Sequence, residues 1–297
     1  MITPAARLRE LLDNESPVVA PGAFNSLFAR LIEDAGFPAV YLSGAGVANS
    51  LLGVPDLGIF TQTEMLTIAE NVCQAVDVPV IVDGDTGYGG IHNVARTVRL
   101  YERAGVAAIQ LEDQVFPKKC GHFDGKQVVS RTEMLERIYA AREARSSEDG
   151  ILIIARTDAA AVIDLDDAIE RAKLFGEAGA DILFVEAPRT EDELALVGKE
   201  LSGYRLLANM VEYGKTPLLP ADRLGELGFH CVICPGSITR AVVPAARDVL
   251  AELKAQGTTA GRLDRMATFQ DVNEVVGLTA RNEWEAMIAA RARGEEA

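Results

Sequence analysis

Val78-Pro79-Val80-Ile81-Val82-Asp83-Gly84-Asp85-Thr86-Gly87-Tyr88-Gly89 is an apolar run that breaks abruptly into an acidic, glycine-rich turn. The run shows little polar alternation, as expected of a strand buried on both faces in a parallel sheet. Seven further runs of this kind lie to either side: Pro17–Pro21, Ala39–Leu42, Ala107–Leu111, Ile151–Ala155, Ile182–Val185, Leu206–Ala208 and Cys231–Cys234. Stretches with helical spacing separate them, among them Thr63–Ala75, Asn93–Ala104, Thr132–Ala144, Asp166–Ala178 and Ala221–Leu227. Gly105, Gly179 and Gly228 follow such stretches, where a left-handed residue ends a helix. Eight β–α alternations predict an α/β fold, a (β/α)8 TIM-type barrel. A doubly wound open sheet is the alternative, but no GxGxxG follows the first run.

Past the eighth run, Pro244–Gln256 and Phe269–Arg293 read as helices, so the barrel is expected to carry extended C-terminal helices. No Pro/Gly/Ser-rich linker divides residues 1–297, which predicts a single domain. The helical tail from about residue 244 is longer than one closing helix needs. It is expected to cover the barrel or reach a neighbouring subunit.

Lys and Arg number 29 against 44 Asp and Glu, a formal charge of −15 that leaves no basic footprint for nucleic acid and disfavours anionic membrane surfaces. An anionic ligand would need local cations or a metal. The opening MITPAARLRELL has no apolar leader, and no run is long enough to span a bilayer. Cys73, Cys120, Cys231 and Cys234 are therefore expected to be reduced thiols in a cytoplasmic protein. Cys231 and Cys234 have CxxC spacing but sit in an apolar run with no second pair, which reads as two strand side chains rather than a metal or redox site.

In such a barrel the active site lies at the C-terminal ends of the strands. Polar residues follow at least seven runs: Tyr41-Leu42-Ser43-Gly44, Asp83-Gly84-Asp85, Glu112-Asp113-Gln114, Arg156-Thr157-Asp158, Glu186, Asn209 and Ser237. Like charges so placed raise each other's pKa, which a purely structural rim would avoid. Asp83 and Asp85 share one face of an extended strand; with Asp56 and Glu112 they form a hard oxygen set suited to Mg²⁺ or Mn²⁺, although DGDTGYGG is also a good loop sequence. His92, His122 and His230 are too scattered for zinc, and His230 reads as structural. The segment Pro117-Lys118-Lys119-Cys120-Gly121-His122-Phe123-Asp124-Gly125-Lys126 reads either as a cationic lid or as a solvated lysine-rich loop. Positive neighbours would make Cys120 a usable proton donor or nucleophile.

These ordered motifs resemble the isocitrate lyase / phosphoenolpyruvate mutase superfamily over nearly the whole chain. They include Tyr41-Leu42-Ser43-Gly44, Pro55-Asp56-Leu57-Gly58, Asp83 to Gly89, Glu112-Asp113-Gln114, Lys118-Lys119-Cys120-Gly121-His122, Ala155-Arg156-Thr157-Asp158 and Asn209-Met210-Val211-Glu212. The likeness is greatest to methylisocitrate lyase and 2,3-dimethylmalate lyase-like members. It implies a Mg²⁺-dependent homotetramer with C-terminal helices exchanged between subunits. Asp85 would be the direct metal ligand, with Asp83, Asp56 and Glu112 acting largely through water. Ser43, Gly44 and Ala45 would receive a substrate carboxylate. Arg156 would hold charge at the reacting centre, and Gly121, Glu186, Asn209 and Arg240 would line the pocket. Cys120 would be the general acid beside His122, with Tyr41 or a metal-linked carboxylate as base.

Cys120 is the residue that phosphonate mutases and phosphonopyruvate hydrolases of this superfamily usually lack. Phe269, in Met266-Ala267-Thr268-Phe269, stands where methylisocitrate lyases carry an Arg, and Asn209-Met210-Val211-Glu212-Tyr213-Gly214 departs from their Asn-Ile-Thr-Glu-Phe-Gly pattern. The expected reaction is carbon–carbon cleavage of a 2-hydroxy dicarboxylate, an alkylmalate, 2,3-dimethylmalate or methylisocitrate-like compound, to pyruvate or another 2-oxo acid plus a carboxylic acid. Alternatives are a phosphonate isomerase of the carboxyphosphonoenolpyruvate or phosphoenolpyruvate mutase type, and an oxaloacetate hydrolase or decarboxylase. A Schiff-base aldolase is disfavoured, because no Lys ends any run.

Overall fold

The computed structural model describes residues 2–14, 17–121 and 125–295. The chain divides into two compact units, residues 1–239 and 240–297.

The first unit is the predicted barrel. Its strands are β1 (Val18–Ala23), β2 (Val40–Leu42), β3 (Val80–Asp83), β4 (Ala108–Glu112), β5 (Leu152–Thr157), β6 (Ile182–Val185), β7 (Leu207–Asn209) and β8 (Cys231–Cys234). All pairings are parallel, in the order β6-β5-β4-β3-β2-β1-β8-β7, and a parallel bridge between Leu183 and Leu206 joins the two ends. Gly22 lets β1 pass close to the end of β8, because a Cβ there would run into the Pro235 backbone.

Alternation along the strands sorts the core into two layers. Val40, Leu42, Val80, Val82, Ile109, Leu111, Ile153 and Leu183 point outward and pack under the helices. Val18, Ala20, Tyr41, Ile81, Ala108, Leu152, Ile154, Phe184, Leu207 and Ile233 point inward and fill the barrel. Ala5, Leu8 and Leu12 of the helix Pro4–Asn14 join this inner cluster.

Helices form where the sequence places them because side-chain caps satisfy their first N–H groups. Ser130 and Thr190 cap Arg131–Ala144 and Glu191–Glu200, and Thr61 with Glu64 makes a reciprocal capping box on Gln62–Ala75. Gly36, Gly105, Gly179 and Gly228 follow helix ends at positive φ.

The helix Ser237–Gln256 begins before Pro244, so the proline lies inside it rather than opening it as the sequence suggests. In the second unit the expected helix Phe269–Arg293 is two helices, Phe269–Val275 and Leu278–Ala292, broken at Gly277, whose φ is 79°. The helices of this unit carry no buried residue. No helix among the described residues is long and apolar enough to cross a membrane.

Candidate active site

The same alternation that fills the barrel builds the site. Two residues beyond Ile81 stands Asp83, and beyond Ala108 stand Gln110 and then Glu112. Beyond Ile154 stand Arg156 and Asp158, beyond Phe184 Glu186, and beyond Leu207 Asn209. Inward-facing apolar side chains thus give way to inward-facing polar ones at the C-terminal rim. Six carboxylates (Asp56, Asp83, Asp85, Glu112, Asp158, Glu186) are buried there with three cations, Lys118, Lys126 and Arg156.

Asp85 lies past the end of β3 with a left-handed backbone, φ 49°, a conformation uncommon for a residue with a Cβ. Its N–H donates to Asp83 Oδ1 at 3.2 Å. Burial pushes the Asp85 carboxyl up to about 7, with Lys118 opposing and Asp83 and Asp56 adding to the rise. Burial likewise raises Glu112, against Arg156 and Lys118. Gly44 leaves room for this cluster, because a Cβ there would sit 2.7 Å from Asp83 Oδ2. Ser43 caps the short helix Gly44–Val47, its hydroxyl accepting from Gly46 N–H at 3.1 Å. The N–H groups of Gly44 and Ala45 begin that helix and so have no intrahelical acceptor.

The buried oxygen Glu112 Oε1 lacks a hydrogen bond, and Asp85 Oδ1 faces the Lys118 ammonium at 2.7 Å. Excess negative charge, an orphaned carboxylate oxygen and a cation already drawn to Asp85 fit a divalent cation, the hard ion such ligands favour. No three His, Cys, Asp or Glu side chains among the described residues form a ready coordination cluster.

Two of the three lysines of the loop after β4, Lys118 and Lys126, are buried. Lys118 Nζ lies 2.6 Å from Asp56 Oδ1 and 2.7 Å from Asp85 Oδ1, with 3% exposure. Burial alone would lower its pKa; Asp85, Asp56, Asp83 and Glu112 raise it instead. Lys126 Nζ contacts Asp158 Oδ1 and donates to the Gly121 carbonyl. Lys119 Nζ donates to the Gly125 carbonyl at 3.0 Å, and its backbone is held by the Gln114 amide. The loop's base is closed by an antiparallel bridge between Gln114 and Val128. Cys120 is half-buried, and its N–H donates to the Asp56 carbonyl at 3.3 Å. Gly121 abuts Arg156 and Glu186, where no Cβ would fit.

Arg156 donates through Nε and Nη2 to the two oxygens of Asp158, at 2.9 and 3.0 Å. Its Nη1 lies 3.5 Å from Glu112 and 3.7 Å from Glu186, and its guanidinium stands 5.3 Å over the Phe184 ring. Burial opposes its charge, but Asp158, Glu186 and Glu112 raise its pKa. Asn209 donates weakly to Glu186, at 3.3 Å. Tyr41 OH lies 3.1 Å from Gln110 Oε1, and the Gln110 amide donates to Asp83 at 3.3 Å. Burial, reinforced by Asp83, raises the Tyr41 phenol well above its usual value.

The structure therefore brings together Tyr41, Ser43, Gly44, Ala45, Asp56, Asp83, Asp85, Glu112, Cys120, Gly121, Arg156, Glu186 and Asn209. His122 lies outside the described residues, and Arg240 falls in the second unit. Gln110 was not singled out from sequence; Asp158 was named there as a rim residue and Lys118 and Lys126 as part of the cationic loop, without a partner. For Gln110 the signal was available, since it is two residues from Glu112 on the same strand. A cavity of about 390 Å³ lined by Phe60, Tyr88, Asn93, Arg96 and Phe116 contains none of the carboxylates. His230 Nδ1 accepts from Leu206 N–H, a link between strands.

Residues 8–254 match the phosphoenolpyruvate phosphomutase family. The chain belongs to this family, within the phosphoenolpyruvate mutase / isocitrate lyase superfamily. Among family relatives, 2,3-dimethylmalate lyase of Eubacterium barkeri is 47% identical over 95% of this chain and 96% of its own. 2-Methylisocitrate lyase of Aeropyrum pernix is 44% identical over 97% of this chain and 92% of its own. A family structure of phosphonopyruvate hydrolase in complex with oxalate and Mg²⁺ superposes with TM-score 0.84 at 31% identity, over 98% of this chain and 99% of that one.

Proposed function

We propose that this protein cleaves a 2-hydroxy dicarboxylate, of the alkylmalate or 2,3-dimethylmalate kind, to pyruvate or another 2-oxo acid and a carboxylic acid. The protein is an enzyme, a carbon–carbon lyase, as are its two relatives. The observation that carries the reading is the position of Cys120. Its backbone is bonded to Asp56, and it lies between Lys118, which touches Asp85, and Gly121, which abuts Arg156. A thiol-bearing residue is thereby tied both to the carboxylate cluster and to the guanidinium.

Asp85, with Asp83, Asp56 and Glu112 around it, would hold Mg²⁺ or Mn²⁺. When bound, the ion supplies Lewis acidity that acidifies the substrate hydroxyl and orients its carboxylate. Ser43, Gly44 and Ala45 receive that carboxylate. Glu112, whose proton affinity is raised by burial, takes the hydroxyl proton. Tyr41 keeps its own proton and holds Gln110 against Asp83. The O–H electrons form the new carbonyl, the Cα–Cβ bond breaks, and its electron pair passes into the carboxylate of the departing fragment. Arg156 meets the charge that develops there. The Cys120 thiol delivers its proton to carbon, and the thiolate regains one by way of the proton taken up at Glu112. Glu186 and Asn209 line the pocket, with His122 as a further member.

Phe269 in place of an arginine favours an alkylmalate over a tricarboxylate. The exposed Leu250, Phe269 and Trp284 support exchange of the helical tail between subunits of a homotetramer. The test is Cys120→Ser assayed for 2-oxo acid release from a panel of alkylmalates, methylisocitrate and oxaloacetate with Mg²⁺. A loss of about 10²–10⁴-fold on the best substrate, with folding and metal binding kept, is expected of a lost general acid. Unchanged turnover refutes the assignment.

A further inference from the structure

Lys126 is the most thoroughly enclosed cation of the loop after β4, its ammonium side chain only 1% exposed. It makes two contacts of different kinds. One is with Asp158 Oδ1, 2.5 Å away, on a carboxylate that is itself fully buried. The other is with the carbonyl of Gly121, the residue following Cys120. Asp158 is the same carboxylate that grips Arg156 through two parallel hydrogen bonds. Its backbone N–H is in turn fixed by Asp113 Oδ1, at 2.9 Å, and Asp113 is paired with Arg171 at 3.2 Å. The lysine therefore links a rigid anchor in the barrel wall to the backbone beside the thiol.

We propose that Lys126 is a positioning residue that sets Cys120 and Arg156 relative to one another through Asp158 and the Gly121 carbonyl. This rests on the reading of Cys120 as the proton donor. Three features argue for it over a generic buried ion pair. Gly121 has no side chain with which to hold its own place, and any Cβ would collide with Arg156 or Glu186. The Gly121 carbonyl is held by an ammonium, the strongest donor available to it. Burying the Asp158 carboxylate is costly, and Lys126 adds a second cation to the one that Arg156 supplies. A single side chain meets both needs at once. The Lys118 contacts with Asp56 and Asp85 hold the other flank of Cys120. The thiol-bearing residue is thus fixed on either side by a lysine whose partner lies on the barrel.

The experiment compares Lys126→Met with the wild-type full chain. Iodoacetamide labelling of each thiol is followed by peptide mass spectrometry, with half-buried Cys73 on the helix Gln62–Ala75 as internal reference. Labelling of Cys120 is expected to accelerate about tenfold, as a segment released to open locally would, while Cys73 is unchanged. In turnover, kcat is expected to fall about 100-fold with KM little altered, the cost of misplacing a reacting group by an ångström or so. Part of the loss should return to Lys126→Ala on adding ethylammonium. Unchanged labelling of Cys120, or equal acceleration at Cys73, overturns the proposal. If Lys126→Met does not fold, Lys126→Gln is read by the same criteria. The labelling result is independent of substrate, so active Cys120→Ser enzyme would refute the proton-donor reading while leaving the Lys126 tether to stand or fall on its own measurement.

Discussion

Lys118 Nζ lies 2.7 Å from Asp85 Oδ1 and, with 3% exposure, stands as a cation among buried carboxylates. Its ammonium offsets part of the negative charge that Asp56, Asp83, Asp85 and Glu112 place in one small volume. Removing one member of a buried pair leaves the other uncompensated, at a cost of about 3–5 kcal/mol. Lys118→Met should therefore lower stability by that order in urea denaturation without divalent ions. Millimolar Mg²⁺ should recover more stability in the variant than in the wild type. An equal effect of Mg²⁺ on both would show that the carboxylates do not take up the ion.

Glu112 and Tyr41 differ in what burial does to them. Both protons are held more tightly, but a carboxylate so raised is a better base, whereas a raised phenol stays neutral. Glu112→Gln should lower kcat by about 10²–10⁴-fold, and Tyr41→Phe by no more than about tenfold. The kcat–pH profile should lose its acid limb in the first variant and keep it in the second. Equal losses would transfer the proton-accepting role to Tyr41.

Gly44 is a packing requirement of the acidic cluster. An alanine there places its methyl 2.7 Å from Asp83 Oδ2, and the carboxylate must move. Gly44→Ala should weaken Mg²⁺ binding by about 10–100-fold in calorimetric titration, as displaced metal-site groups do, with only a small change in thermal stability. Gly22→Ala, which meets the Pro235 backbone instead, should destabilise the barrel.

Asp167 lies on the helix Leu165–Glu177 and accepts from Arg171 Nε at 2.6 Å and from Arg131. Burial would raise its pKa, but the hydrogen bonds from Arg131 and Arg171 hold it below 3.8. A depressed folded-state value means the folded protein binds fewer protons, so the contribution is present above the unfolded value and is lost as pH falls. Asp167→Asn should cost about 1–3 kcal/mol at pH 7, and the gap should close as the wild type is titrated through and below pH 3.8. Urea denaturation at several pH values measures it. A constant gap would show that the arginines do not favour the ionised form.

Much of the barrel was legible along the chain, because hydrophobic runs and helical spacing are local properties. Ile182–Val185 and Cys231–Cys234 are strands with the expected limits. β2 ends at Leu42, as its run does, and the other five strands reach one or two residues further toward their C-terminal ends. Glu112 pairs with Arg156 and Asp83 with Gln110 in the ladders, whereas a reading by hydrophobicity stops at the last apolar residue. The metal-type carboxylates, Arg156 and Cys120 were visible as polar residues just past those runs. Gln110 was hidden inside its run, although its inward parity with Glu112 marks it.

Order along the chain was enough to specify eight strands, their alternation with helices and the rim on which chemistry collects. Proximity in space settled what the charged groups do there. Lys118 meets Asp56 across 62 residues and Lys126 meets Asp158 across 32, so side chains that could equally have been solvated are buried counter-ions. Periodicity depends on neighbours in sequence, whereas Coulomb attraction and desolvation depend on distance and on the exclusion of water, which only the closed barrel defines.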